Sequence, residues 1–438
     1  MNLCYELWSI VWFGDYRERS GVGSGEVSIR MQQRATGIVT EVQEERPGAQ
    51  EILVRILDAV DNGSLNANEY ESVLSYADSS DTVNQFRRAI AYTQLTGAVR
   101  VGDKVLLNTV AVELGLGTGR SDFVIATLES ASSDEVVPGH IIKLRYTPLQ
   151  TPVLSVEAPE SPHHQAIKDF VSLDETPVVC AELHSQIPII CSAARWALHE
   201  AGWNRAPRII YIMTEGAALP LALSRLIPQT IARGLIDATI TSGQAFGGDY
   251  EAVNLYSALA AAKAVCAADI IVVGQGPGNV GTDTQLGFSG VEQGLAVNAV
   301  ASLEGVPVVV ARISFAEERM RHWGISHHTL TVLKTIARAP VLLPLPRLSQ
   351  SKMHTIEQTL LKAEIEQDHQ PIVVNADRAL DNFVETGFDV TTMGRSIEGE
   401  RPFFLAAAAA GILAAQLVEA GEETSRERLR GAKDAADR

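Results

Sequence analysis

Residues 270–300 read IIVVGQGPGNVGTDTQLGFSGVEQGLAVNAV: a continuous apolar run, a long loop dense in Gly, Thr and Asn, then an apolar segment of helical length. The same grammar recurs from Ile209 (IIYIMTEGAALPLAL), Ala238 (ATITSGQAFGGDYEAVNLYSAL) and Val306 (VPVVVARISFAEERMRHWGISHHTL). Unbroken rather than alternating apolar runs are what strands buried on both faces need, and a parallel sheet covered by helices provides that setting. Three more runs fit: PVVCAEL from Pro177, APVLLPL from Ala339 and PIVVNAD from Pro371. Strands alternating with helices predict a three-layer α/β/α, Rossmann-like domain over 165–420, with a mostly parallel sheet and right-handed crossovers. Its polar loops would gather at the carboxyl edge, where open α/β folds bind ligands.

Upstream the pattern changes. ATGIVTEV, QEILVRIL, RAIAYTQL, DKVLLNTV, DFVIATL and HIIKLRY are short β-branched runs separated by Gly, Asp and Pro. They predict a small β-rich domain over 31–146, barrel- or sandwich-like, with a polar insert around Asn66 to Gln85. Thr147 to His164 carries four prolines and no periodicity, which predicts an extended linker or a strap over the next domain. Residues 1–30, with the Gly/Ser stretch SGVGSGEVS, read as a flexible extension, and 421–438 as a charged tail.

At 438 residues with 46% hydrophobic and 20% charged side chains, the chain has the composition of an ordinary globular protein of two domains. A net charge of −17 argues against non-specific nucleic-acid binding, which depends on cations neutralising phosphates. Cys4, Cys180, Cys191 and Cys266 show no CxxC spacing, so they read as reduced thiols of a cytoplasmic protein. Cys191 opens a predicted helix, where a thiol can be activated, but packing is the ordinary role of such a residue. No signal peptide is expected, because the opening MNLCYELWSIVWFG carries Glu6 where a basic region belongs. FFLAAAAAGILAAQLVEA, from Phe403, is expected to be a buried or oligomer-facing helix whose apolar run is too short to span a bilayer.

Five loops carry the candidate chemistry. AELHSQIP places Glu182 near His184, a carboxylate able to orient an imidazole base, or simply two surface loop residues. Thr214 and Glu215 end one strand, as ligand and acid–base groups or as a cap for the next helix. Ser242, Gly247, Gly248 and Asp249 follow another, with Asp249 predicted to lead a helix that holds Glu251 and Asn254. Gly276, Gly278, Asn279 and Thr282 lie in a loop whose backbone amides could cradle an anion, although neither a Walker A nor a dinucleotide fingerprint is present. Arg312, His322, His327 and His328 form the most loaded loop. Adjacent histidines on a helix point about 100° apart, and no HExxH spacing is present, so no metal is expected.

The motifs LTGAVRVGDKVLLNTVAVELGLGTG, GHIIKLRYTPLQ, SPHH, TSGQAFGGDYEAVN, GFSGVEQG and RHWGISHHTL resemble an uncharacterised bacterial family, domain of unknown function 3866. The likeness runs from about Met31 to the C-terminal helix. It implies a bacterial, cytosolic protein and supplies no activity, cofactor or catalytic residue. From the residues alone, the expected function is an enzyme, or enzyme-like protein, that handles a small anionic metabolite. His327 or His328 would act with Glu215 or Asp249 in proton transfer, and Arg312 would pair with the anion. The competing expectation is a non-catalytic ligand sensor or assembly protein; in either case a homo-oligomer is expected, with no nucleic-acid or membrane partner.

Overall fold

The structure, a computed structural model, describes residues 34–57, 86–114, 120–128 and 139–436, with backbone alone for 421–436. The N-terminal extension, the polar insert and the GLGTG loop fall outside the described residues. The chain divides into two compact units, 1–136 with 144–151, and 137–143 with 152–438.

In the first unit, strands β1 (Arg34–Arg46), β2 (Ala49–Ile56), β3 (Phe86–Tyr92), β4 (Lys104–Asn108) and β5 (Asp122–Thr127) close a barrel in the order β1-β2-β3-β5-β4. Closure removes every edge strand. Two register shifts in β1, at Val39/Glu41 and Val42/Glu44, coil this long strand so that it pairs with both β2 and β4. Val39, Ile52, Val54, Ala89, Val105 and Leu107 fill the interior. Five of the six predicted strands lie here. The sixth does not: β6 (Ile141–Lys143) pairs with β7 (Thr151–Val153), and residues 137–143 belong to the second unit.

The second unit is built on eight parallel strands, β8 (Pro177–Cys180), β9 (Ile209–Thr214), β10 (Ala238–Ser242), β11 (Tyr250–Ala252), β12 (Ile270–Gln275), β13 (Val306–Val309), β16 (Leu342–Pro346) and β17 (Gln370–Val374), in the order β11-β10-β9-β12-β8-β13-β16-β17. A two-stranded pair, β14 (Ile313–Ser314) and β15 (Gly324–Ile325), stands apart from it. Ile270 and Val272 belong to one core layer, Ile271 and Val273 to the other, as alternation across a doubly covered sheet requires.

The predicted helix led by Asp249 begins later than the sequence suggested. Tyr250–Ala252 is an edge strand, and Asn254 caps the Leu255–Ala264 helix by accepting from the Ser257 amide at 3.0 Å. The proline-rich strap runs beside that edge strand: the Val156 amide donates to Glu251 O at 2.8 Å, and Glu157 accepts from the Val253 amide.

The last helix runs Arg401–Ala436, so the charged stretch after Gly421 continues it rather than forming a separate tail. Residues 401–420 are long and apolar enough to cross a membrane by composition, with mean hydropathy 1.8, which is longer than the sequence reading allowed. Yet 78% of that window is buried inside the fold, as in the core helix of a globular protein. Ala406 to Ala410 are fully buried within the chain. A Cβ at Gly411 would lie 2.2 Å from Ile190 O, so glycine there lets the helix press against Ile187–Glu200.

Candidate functional site

Sheet order decides where a crevice opens. From β8 the chain crosses to β9 through the Ile187–Glu200 helix, which packs in one core layer. From β13 it proceeds the opposite way to β16, and Leu333 of that crossover packs in the other layer. β8 and β13 are neighbours in the sheet, so their outgoing connections diverge, the topology at which open α/β sheets bind ligands; Gln293 spans the two strand ends, its Nε2 donating to Cys180 O at 2.8 Å and Val310 O at 3.0 Å. Glu182 follows β8 and Arg312 follows β13, both at the point where the chains part.

The Glu182 side chain is fully buried and Arg312 is 6% exposed. Glu182 Oε1 lies 2.8 Å from His328 Nδ1 and 3.6 Å from Arg312 Nη1. Arg312 Nη1 is also 3.4 Å from His328 Nδ1, while its Nη2 meets the Met393 sulfur at 3.1 Å. Burial pushes the Glu182 carboxyl upward, but the His328 hydrogen bond and the Arg312 charge outweigh it, and the group ends below the usual carboxylate range. Its second oxygen, Oε2, is buried with no hydrogen-bond partner. An ionised acid holding an imidazole by Nδ1–H leaves Nε2 as the atom that can exchange a proton.

The histidine loop folds back on itself. The Arg312 amide donates to Thr329 Oγ1 at 3.0 Å, and the Ser326 amide to Arg312 O at 2.9 Å. β14 and β15 pair across the intervening turn and return the one-turn helix Met320–His322 to the start of the His327–Thr331 helix. Ser326 caps that helix and bonds His322 Nδ1 at 2.7 Å. His322, His327 and His328 thus meet with ring centroids 4.5–4.9 Å apart. Burial first, and neighbouring positive groups second, lower His322 to about 2 and His327 to about 4, so both imidazoles are neutral at neutral pH.

The glycine-rich loop reaches the same place. Phe288 stacks on His328 at 3.8 Å and 5°, and Asp283 forms an ion pair with Arg321. Within the loop, Thr282 Oγ1 bonds Gly287 O at 2.9 Å, and Asn279 Oδ1 accepts from Ser289 at 2.5 Å. Gly276 has no room for a side chain, because a Cβ would lie 2.5 Å from Ala218 O, and Gly278 has φ +102°. Beside it a small cavity of about 10 Å³, room for roughly one water, is lined by Glu182, Thr214, Gln275, Glu292 and Gln293.

Of the other predicted residues, Thr214 lines that cavity and the rest fall elsewhere. Thr214 donates to Glu292, whose carboxyl burial raises despite that bond. Glu215 is exposed and accepts from the Gln244 amide, while Ser242 Oγ donates to Met213 O at 3.4 Å. Asp249 accepts from the Thr239 amide and hydroxyl, both at 2.8 Å, near the amino end of β10. It therefore sits at the opposite rim from the histidines. The Gly247 amide donates to Glu251, and the Gly248 amide to Thr241 Oγ1. Thus Arg312, His322, His327 and His328 come together with the Gly276–Thr282 loop, whereas Asp249, Gly247 and Gly248 serve the sheet edge. Cys180, Cys191 and Cys266 are buried and free, and burial raises Cys191 to about 12, far from an activated thiol.

His184 does not pair with Glu182. Its Nδ1 faces Gln275 O at 3.2 Å and its Nε2 faces Ser224 Oγ at 2.7 Å, and burial lowers it to about 4. The unfolded chain then binds a proton near pH 6.5 that the folded chain refuses until about pH 4. This residue's contribution is complete above pH 6.5 and is lost as pH falls toward 4, by about 3 kcal/mol. Urea midpoints of the native chain and His184→Gln, compared from pH 7.5 to 4, should converge by that amount. A constant gap between the two chains would show that His184 is solvated.

The model of one family, described as "Protein of unknown function (DUF3866)", matches residues 88–411. No curated protein matches, and no solved structure does.

Proposed function

Since the chain belongs to that family, whose description names no activity, we propose from the site alone that it is an enzyme acting on a small anionic metabolite at the carboxyl rim of the parallel sheet. The observation that carries this is the Glu182–His328–Arg312 group where the chains leaving β8 and β13 part. A purely structural ion pair has no use for the imidazole wedged beside it, nor for a buried carboxylate oxygen left without a partner. His328 is the proton-transfer residue, Glu182 fixes its tautomer, and the Arg312 guanidinium offers the charge that draws the anion. The buried free thiols fit a reducing compartment, so we place the reaction in the cytosol.

The test is a thermal-shift screen of carboxylate- and phosphate-bearing metabolites on the full chain, with hits measured again on Arg312→Gln after its circular dichroism is checked. At least one compound should stabilise the native chain and bind the variant at least about tenfold more weakly, the loss of one charge-assisted hydrogen bond. Hits that bind both chains equally would remove Arg312, and with it the anion site.

A further inference from the structure

We propose that His322, His327 and His328 form a binding site for one first-row divalent transition cation, with Glu182 as its outer-sphere carboxylate. The inference rests on the preceding reading of the rim as the functional site and adds a cofactor class to it; with the ion bound, His328 Nε2 is a ligand in place of its proton-transfer role. The three residues each offer a ring nitrogen, and these atoms lie within 4.8 Å of one another. Imidazoles bound about 2 Å from a shared ion stand roughly 3–3.5 Å apart, so capture requires the widest pair to close by up to about 1.5 Å. His327, half-buried at the open side, can supply it.

Three further features separate this cluster from ordinary packing. His327 Nε2 is buried with no hydrogen-bond partner, a desolvation cost that a phenylalanine in the same space would avoid. His328 Nδ1 is held by the Glu182 carboxylate, the arrangement that fixes a ligating imidazole and raises its basicity. His322 Nδ1 is held in the same way by Ser326 Oγ, and its Nε2 receives a long 3.4 Å contact from Arg321 Nε that a cation would replace. Phe288, stacked on His328, gives the group an apolar wall.

Charge does not forbid the site. Arg312 pairs with Glu182, Arg321 with Asp283, and Arg319 and Arg395 with Glu317, so each guanidinium around the rings already faces a carboxylate. Neutral nitrogen donors without thiolates suit Zn²⁺, Ni²⁺ or Co²⁺ better than Mg²⁺ or Ca²⁺, which prefer oxygen. Three protein ligands leave a coordination position open to water or substrate, as in catalytic rather than structural zinc sites.

The experiment uses the full chain, stripped with a chelator and titrated with ZnCl₂, and separately with CoCl₂ to read ligand-field absorption. One equivalent of Zn²⁺ is expected, with a Co²⁺ spectrum of nitrogen coordination. His327→Gln and His322→Gln should each weaken Zn²⁺ at least about tenfold, and Glu182→Gln about 10–100-fold, the usual cost of losing an outer-sphere partner. His327→Gln lies at the open side, so it tests the site even where His322→Gln fails to fold. Absence of stoichiometric Zn²⁺ binding, or equal affinity in the native and His327→Gln chains, overturns the proposal. No metabolite is present, so failure here leaves the anion screen standing, and a failed screen with intact Zn²⁺ binding sinks only the earlier reading.

Discussion

Replacing Glu182 with alanine is expected to destabilise the sheet unit by about 3–5 kcal/mol, the range for stranding one member of a buried ion pair. Arg312 would be left 6% exposed, with its guanidinium facing His328 and a thioether in place of a carboxylate. The companion chain Glu182→Ala with Arg312→Met should recover part of the loss, because the stranded charge goes too. Urea denaturation of the native, single and double variants gives the coupling directly. A single-variant loss under about 1 kcal/mol would mean that water reaches Arg312, and the buried constellation on which the proposed chemistry rests would be gone.

An equal loss, about 3–5 kcal/mol, is expected for Lys143→Met at the far edge of the same sheet. Lys143 Nζ is almost completely enclosed; it donates to Ala245 O at 2.9 Å and Ala252 O at 3.0 Å and stands 3.2 Å from Glu251 Oε2. Burial lowers Lys143 and raises Glu251, with each group opposing the other's shift. Methionine fills the volume but leaves two carbonyls unmatched and the buried Glu251 carboxyl without its counter-charge. The damage should stay local. Hydrogen exchange is expected to quicken in β10 and β11 while β8 and β13 keep their protection. Uniform acceleration across the sheet would instead place Lys143 in the global core.

Much of the architecture was legible because β8, β9, β10, β12, β13, β16 and β17 each present an unbroken apolar run. β11 was not, since Tyr250-Glu251-Ala252 follows a Gly-Gly-Asp turn and holds an acid mid-strand. That acid finds its counter-charge in Lys143, more than a hundred positions upstream, a partner no local pattern reveals. HIIKLRY was assigned to the barrel for the same reason: its lysine looks solvent-facing until its carbonyl partners are known.

The candidate site was half legible. Glu182 and the histidine loop stood out by chemistry, but His184, two residues away, seemed the natural partner for Glu182, and the true one lies 146 residues along. Spacing rules for metal sites assume a regular helix. Here the one-turn helix at His322, the hairpin turn and Gly324 at φ +77° fold the loop so that its three rings converge. Only sheet order shows that Glu182 and Arg312 end neighbouring strands whose chains part.

That same sheet order constrains how the protein emerges from a ribosome. β8 is synthesised first among the eight, yet both of its neighbours, β12 and β13, come after β9, β10 and β11. It must wait as an unpaired apolar segment, exposed to mispairing, until Gln275 has cleared the exit tunnel. One face of the finished layer stays bare still longer, until the alanine-rich helix, made after all eight strands, docks against Ile187–Glu200. Premature termination before Arg401 would therefore yield a sticky intermediate destined for chaperones or proteases rather than a shortened but serviceable molecule.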